Sequence, residues 1–386
     1  MKRTYFTVLF LIGLLLCTGL FGLIYLRQAN QAPQSLVLAM SEDITGFDRA
    51  YPPADIQFPR DMGPHPGYQT EWWYYTGNLD TQEGRHFGFQ LTIFRRALIP
   101  IPLAKPRASD LATTQVYMGH FAITDVEANQ HRAYERFARG AGDFAGAQAV
   151  PYRVWLEDWQ INQTGAKQYQ LSASQGADAI ELSLIDQKGP VLQGINGYSQ
   201  KGPDPGNASY YFSQTHLSTS GEITFGGQTY EVQGLSWHDH EYSTSALSAD
   251  QVGWDWFAFQ LDDGSELKLF DLRKADGSVD EFSAGSFIDL DGKITHLSNH
   301  DFEINPTNTW KSPTSGAVYP SGWKIRVPRL QIELEVTPYI KNQELIVSYT
   351  YWEGAVQIRG SVSSQPVSGN GFAELTGYAG SIAGEF

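Results

Sequence analysis

Apolar and polar residues alternate with a period of two through most of the chain, and that period predicts strands rather than helices. From Phe87 to Arg95, Phe87, Phe89, Leu91 and Ile93 fall on one face and Gly88, Gln90 and Thr92 on the other. Four turn signals, Gly226-Gly227, Asp263-Gly264, Asp276-Gly277 and Asp291-Gly292, each separate two strand-like runs. Such dipeptides mark antiparallel hairpins. Tyr230 to Tyr242, Glu266 to Arg273 and Gly371 to Tyr378 read as further strands, the last with Glu374 placed to close on Arg359. The stretch Ala97 to Thr113, with Pro100, Pro102 and Pro106, predicts a long loop, and Arg132 to Ala147 a short helix on a loop. The fold class is therefore all-β.

An internal echo points to duplication. Trp72, Tyr74, Tyr75, Leu79 and Asp80 align with Trp254, Trp256, Phe257, Leu261 and Asp262, and each segment turns and returns on a strand ending Phe94-Arg95 or Leu272-Arg273. A duplicated β-barrel accounts for this, and 386 residues exceed one comfortable core. The expected organisation is a signal anchor over 1–27, a linker over 28–54, one barrel over 55–246 and a second over 247–386.

The N-terminus changes the picture. After Lys2-Arg3, the residues Tyr5 to Leu26 carry no charge until Arg27, a run long enough to cross a bilayer as a helix. It has no Ala-x-Ala cleavage site, which favours an uncleaved transmembrane anchor, and the positive-inside tendency places everything after Arg27 outside the cytoplasm. The expected location is the inner membrane, with the folded body in the periplasm or outside the cell. The single cysteine, Cys17, lies in this segment, so no disulfide staples the body.

Composition agrees with many turns and a large apolar surface: 13% aromatic residues, 38 Gly and 19 Pro. The formal net charge is −15, and because Lys2, Arg3 and Arg27 belong to the N-terminal segment, the remainder carries −18. Nucleic acid is excluded as a partner on that ground, and electrostatic docking on anionic lipid is disfavoured.

Candidate chemistry centres on Trp237-His238-Asp239-His240-Glu241-Tyr242. On a strand, His238, His240 and Tyr242 share one face, and Trp237, Asp239 and Glu241 the other. Adjacent residues of a strand cannot aim at one ion, so no metal is expected. An imidazole inside an apolar barrel could instead pass a proton to a bound alkene or carbonyl. Asp271, on the face of Leu267 and Leu269, is a candidate desolvated acid, with an ion pair to Arg273 as the plainer reading; Asp255, beside Phe257 and Phe259, is a second. Glu71, ahead of Trp72-Trp73-Tyr74-Tyr75, reads as an acceptor for Arg95 or an indole N–H, or as cavity lining. His65 and His120 read as structural histidines. No Gly-x-Ser-x-Gly, phosphate loop or dinucleotide fingerprint occurs, so serine-hydrolase and nucleotide readings fall away.

Taken together, His65-Pro66, Glu71 to Gly77, Phe87-Gly88-Phe89-Gln90, Phe94-Arg95, Trp237 to Glu241, Gly253 to Trp256 and Gly371 to Tyr378 resemble the AttH-like and carotenoid 1,2-hydratase family, over roughly residues 55 to 386. The resemblance implies two packed lipocalin-like antiparallel barrels. It also implies relatives of mixed activity: hydratases that protonate an isoprenoid double bond, cyclases that fold polyenes, and secreted proteins encoded beside ABC-transporter permeases. The matching catalytic positions are His240, Tyr242 and Asp271; the hydratases carry Trp where this chain has Tyr242.

The resulting expectation is an exported, anchored lipocalin-like protein that binds or transfers a lipophilic small molecule, with an ABC-type permease as partner. Its ligand-binding candidates are Glu71, Trp73, Tyr75, His238, Trp254 and Trp256. The alternative is an acid-catalysing hydratase or cyclase using His240 and Tyr242 with Asp271 or Asp255. No cofactor is expected in either case.

Overall fold

The computed structural model describes residues 44–380 except 106, 107, 110, 245, 246 and 249. The predicted anchor and most of the linker lie outside the described residues. Among the described residues no helix is long and apolar enough to cross a membrane, and the only helical elements are three short 3-10 turns at Arg60–Met62, Ile101–Leu103 and Pro328–Leu330.

Apart from loops, the described residues form strands in two large antiparallel sheets that share no member and in a small two-stranded one, Thr309–Lys311 with Val318–Pro320. The first has 13 strands and runs from Gln130–Arg139 through Gln115–Asp125, His86–Ala97, Thr70–Asp80, Gln228–Ser243 and Ala208–Phe225 to Asp178–Asp186 and the hairpins ending at Ala145–Ala149. Its ends return to each other. Gly119 lies against Leu156 and Trp159, and Arg132 and Asp178 pair at 2.9 Å, so the sheet closes into a barrel. The second, of 10 strands, runs from Ile294–Ser298 through Ala284–Ile288, Glu266–Lys274, Gln251–Leu261, Gln365–Leu375 and Thr350–Val362 to Ile332–Pro338, Trp323–Val327 and Glu303–Pro306. The protein is thus all-β, two lipocalin-like barrels packed together.

The sequence echo falls on equivalent strands. Thr70–Asp80 sits between its hairpin partner His86–Ala97 and Gln228–Ser243, the last strand of its sheet in chain order; Gln251–Leu261 sits between Glu266–Lys274 and Gln365–Leu375. The predicted hairpin at Gly226-Gly227 forms, with φ of 62° and 84°, conformations that a side chain would oppose.

The helix expected within Arg132 to Ala147 is absent: Gln130–Arg139 is a strand. Its charges gave it a helical look, but Arg132 and Tyr134 both bond Asp178 and Arg136 bonds Asp158, so the charges serve barrel closure.

Each barrel gathers a core of its own side chains. The first core gathers Trp73, Tyr75, Phe89, Leu91, Trp159, Leu171 and Phe212, the second Phe257, Phe259, Leu269, Trp323 and Trp352. A third cluster lies between the sheets: Tyr74, Trp237, Trp256, Phe270, Leu272, Ala355 and Phe372. Alternation produces it, because successive residues of a strand point to opposite faces. Trp73 and Tyr75 enter the barrel, whereas Trp72 and Tyr74 meet the other sheet. Direct bonds reinforce the contact, including Asn78 Nδ2 to the Gly371 carbonyl at 3.0 Å and Gln260 Nε2 to the Thr215 carbonyl at 2.7 Å.

Gly88 lies at this contact, where a Cβ would stand 2.7 Å from that of Ala355. Gly88→Ala is expected to destabilise the protein by about 1–3 kcal/mol through overpacking, read as a lower midpoint of urea unfolding.

Candidate functional site

The strand Gln228–Ser243 carries the candidate chemistry, and its two faces meet different surroundings. His238, His240 and Tyr242 turn into the first barrel. His238 is fully buried, stacked on Tyr75 with ring centres 4.1 Å apart, and its Nδ1 meets Gln214 Oε1 at 2.9 Å. His240 is equally buried, 4.9 Å from Trp73 and 5.1 Å from Phe212. Burial lowers both imidazole pKa values, for His238 well below the usual range, so both rings are neutral near pH 7. A neutral imidazole has no readily given proton, so His240 could act as donor to a bound alkene only after being protonated itself.

Glu71 organises this face. It is fully buried, takes hydrogen bonds from Arg95 Nε at 2.8 Å and the His65 backbone N–H at 2.9 Å, and is met by His65 Nδ1 at 2.7 Å and His240 Nε2 at 2.9 Å. Burial alone would raise its pKa, but the Arg95 charge and the two histidine bonds outweigh burial and hold the carboxyl well below the usual range. The structural reading of Glu71 as acceptor for Arg95 is therefore what the fold uses. His65, expected to stand alone, is part of the hub: it also bonds Asp61 at 3.1 Å and stacks on Tyr242 at 3.5 Å.

One nitrogen each of His65 and His240 and an oxygen of Glu71 lie within 4.8 Å of one another, a geometry that could hold a metal ion. The strand argument missed this convergence because the donors come from three separate segments. The fit is weak, since Arg95 already matches the charge of Glu71 and both rings are bonded to it.

The other face of the same strand holds the cavity. Trp237, Asp239 and Glu241 point toward the second sheet, where a cavity of about 130 Å³ is lined by Trp72, Tyr74, Trp254, Trp256, Phe270 and Leu272, with Asp239, Glu241, Glu374 and Lys201 as its charged groups. It has room for one small apolar group, on the scale of a benzene ring. Asp239 accepts bonds from Tyr211, Ser213 and the Trp237 indole. Glu374 accepts from Trp254 Nε1 at 2.9 Å; burial, with the charges of Asp239 and Glu241, pushes its pKa up to about 7. Glu353 faces Glu374 across the strand pair, nearly inaccessible, beside Tyr74 and Tyr351 without a well-formed hydrogen bond. Burial, then the charge of Glu374, raises its pKa well above the carboxylate range. The expected closure of Glu374 on Arg359 is not made: the register sets Arg359 opposite Ser368, and its side chain is exposed.

Asp255 and Asp271 stand opposite each other on the inner face of the second barrel, with Phe257 and Leu269. They cannot act with His240, which lies inside the first. Arg273 bonds Asp255 at 2.8 Å rather than Asp271, and Tyr378 bonds Asp255 at 2.9 Å. Asp271, left without that partner, is held up to about 7 by burial and by Asp255. The expected site residues therefore divide three ways: Glu71, Trp73, Tyr75, His238, His240 and Tyr242 in the first barrel, Asp255 and Asp271 in the second, Trp254 and Trp256 at the cavity between.

Two packed lipocalin-like barrels with a shared aromatic cleft define the class of protein, and the comparisons specify it further. Residues 49–378 match the AttH-like family, and the chain belongs to it. It is similar to an AttH protein of Nitrosomonas europaea, 32% identical, with a TM-score of 0.76 over 86% of this chain and the whole of the other. Kievitone hydratase from Nectria haematococca, at 15% identity, shares the fold with a TM-score of 0.65 over 86% of this chain and 95% of its own. No curated protein sequence matches the chain.

Replacing Glu71 by Gln leaves Arg95 buried without its counter-charge and is expected to cost about 3–5 kcal/mol in urea unfolding. Because its folded pKa lies below the ordinary 4.5, the stabilisation from Glu71 is present above pH 4.5 and is lost as pH falls through the depressed value. The stability of Glu71→Gln should therefore change less than that of the wild type over this acid range.

Proposed function

We propose that the protein takes the end of a lipophilic molecule of isoprenoid or polyene type into the inter-barrel cavity and performs acid-catalysed hydration or cyclisation there. The observation that carries this is Glu374, a carboxyl with a pKa of about 7 on the wall of an aromatic cavity. An acid retained in that state opposes folding above pH 4.5, and such costs are commonly borne at sites of chemistry.

The step for a hydration is short. The Glu374 carboxyl gives its proton to the less substituted carbon of a terminal double bond; the π pair forms the new C–H bond, and a cation remains on the more substituted carbon. The faces of Trp254, Trp256 and Phe270 stabilise that cation. Water then adds, and the proton that it loses returns to the Glu374 carboxylate. For a cyclisation, a second double bond replaces water as the nucleophile: its π pair forms the new C–C bond, and the cation left on its other carbon loses a neighbouring proton to the Glu374 carboxylate, restoring a double bond and the acid. Glu353, opposite Glu374, is itself kept from ionising by burial and by the Glu374 charge. Kievitone hydratase offers an analogy of fold alone.

The apolar run Tyr5 to Leu26 would keep this body beside a membrane, where such lipophiles partition; an ABC-type permease as partner rests on the family resemblance alone. Fractionation of cells with and without residues 1–27 tests the anchorage.

Turnover requires protonated Glu374, so the rate should fall as pH rises through about 7. Glu374→Gln is expected to lower kcat by about 10²–10⁴-fold with ligand affinity little changed, and one ¹⁸O atom from labelled water should appear in the hydration product. If lipid is retained in native mass spectrometry, no test alkene turns over, and Glu374→Gln changes nothing, the protein is a carrier instead.

A further inference from the structure

A second cleft, sharing no residue with the inter-barrel cavity, opens at the end of the first barrel where Thr70–Asp80 begins. It has a volume of about 470 Å³ and is lined by Tyr68, Tyr210 and Tyr242. The strand register sets Tyr210 directly opposite Tyr242, and Tyr68 joins them from the segment just before Thr70–Asp80. The three ring planes are inclined to one another by 58–78° with centres 5.2–5.9 Å apart, so they form a corner rather than a stack. Tyr210 is held by its hydroxyl, which donates to the Tyr51 carbonyl at 2.8 Å, and Tyr242 by stacking on His65. Among the described residues no Lys or Arg stands over any of these three rings, whereas Arg85 lies over Tyr230 and Arg273 over Tyr378. Tyr242 is only 4% exposed, and among the described residues its hydroxyl has no hydrogen-bond partner.

The charge around this corner is negative. Asp48, Asp55 and Asp61 line the cleft against Arg60, whose guanidinium bonds Asp61 at 2.7 Å, and against His65, so carboxylates remain in excess even when His65 is protonated. Asp48 is exposed, and among the described residues its carboxylate makes no hydrogen bond or ion pair; Gly67 admits it, since a Cβ there would collide with Asp48 Oδ2 beside Tyr68. An anion is therefore disfavoured. A small metal ion is disfavoured too, because among the described residues these carboxylates do not converge: the set that does is His65, Glu71 and His240. A primary ammonium would likewise want converging acceptors for its three N–H groups. A bulky quaternary cation needs only aromatic faces and nearby negative charge. We propose that this cleft binds a trimethylammonium group carried beside a hydroxyl or phosphate-ester oxygen, as in choline and the phosphocholine headgroup. The tyrosine corner receives the methyl groups, Asp48 and Asp55 balance the charge, and the buried Tyr242 hydroxyl meets the oxygen.

The test is calorimetric titration of the full chain, in an uncharged maltoside detergent, with choline and with its neutral carbon isostere, in which a tert-butyl group replaces trimethylammonium. The expected result is saturable binding of choline, with the isostere weaker by about tenfold or more. Tyr210→Leu should weaken choline by about tenfold and Asp48→Asn several-fold; because Asp48 is exposed, its variant keeps the test valid if the tyrosine variant fails to fold. Tyr242→Phe should weaken choline but not tetramethylammonium, which has no oxygen to meet. Glycerophosphocholine separates the two sources of the group: affinity at or above that of choline marks a lipid headgroup, and lower affinity marks a free choline-type solute. Equal binding of choline and the isostere, no saturable binding of choline, tighter binding of calcium or inorganic phosphate, or unchanged affinity in both Tyr210→Leu and Asp48→Asn overturns the proposal. None of these outcomes bears on Glu374, which lines the other cavity.

Discussion

The structure depends on burying both faces of two equivalent strands, Thr70–Asp80 and Gln251–Leu261. Each lies centrally in its sheet, so one face closes a barrel and the other has to be covered by the second sheet. Trp73 and Tyr75 fill the first core while Trp72 and Tyr74 meet the partner; Phe257 and Phe259 fill the second core while Trp256 and Ala258 meet the first. Neither barrel could stand alone without exposing a broad aromatic patch, which water would penalise at roughly 25 cal/mol per Å². The cavity is where this mutual covering is incomplete.

Polar residues on these double-buried strands have no solvent face available, and each is resolved in one of two ways. Inside the first barrel, Glu71 receives Arg95, His65 and His240, and the histidines remain neutral or shared. That arrangement ties together Thr70–Asp80, His86–Ala97, Gln228–Ser243 and the segment bearing His65. Between the barrels, Glu374 and Glu353 have no cation paired with them and shift toward their neutral forms, while burial and Lys201 lower the Lys268 pKa against the charges of Asp239 and Glu241. Unmatched groups around a hollow suit chemistry; the matched hub suits architecture.

Strand content, hairpin positions, the duplicated layout and the Glu71–Arg95 partnership were legible in the sequence, because alternation and turn chemistry are local and Arg95 needs an acceptor when buried. The strand Gln130–Arg139 was not, since its charges are explained only by Asp178 and Asp158 on the far side of a closed barrel. The candidate site was legible in part. The faces of Trp237 to Tyr242 separate as alternation predicts, with His238, His240 and Tyr242 in the first barrel and Asp239 and Glu241 at the cavity, and Trp254 and Trp256 line the cavity. Single charged residues within apolar strands, Lys268 in Leu267-Lys268-Leu269 and Glu374 in Phe372-Ala373-Glu374-Leu375, were the available signal for the buried charges between the sheets.

The sequence by itself determined which residues share a face, because a strand's period of two is a property of the backbone. It could not determine what each face would meet. How much of a barrel its own side chains occupy depends on the sum of their volumes across strands far apart in the chain, and here both barrels gather large aromatic cores. The hollow, the crowding of Glu353 beside Glu374 and the stranding of Lys268 between the Tyr211 and Phe270 rings arise only when two sheets come into contact, and only tertiary structure decided them.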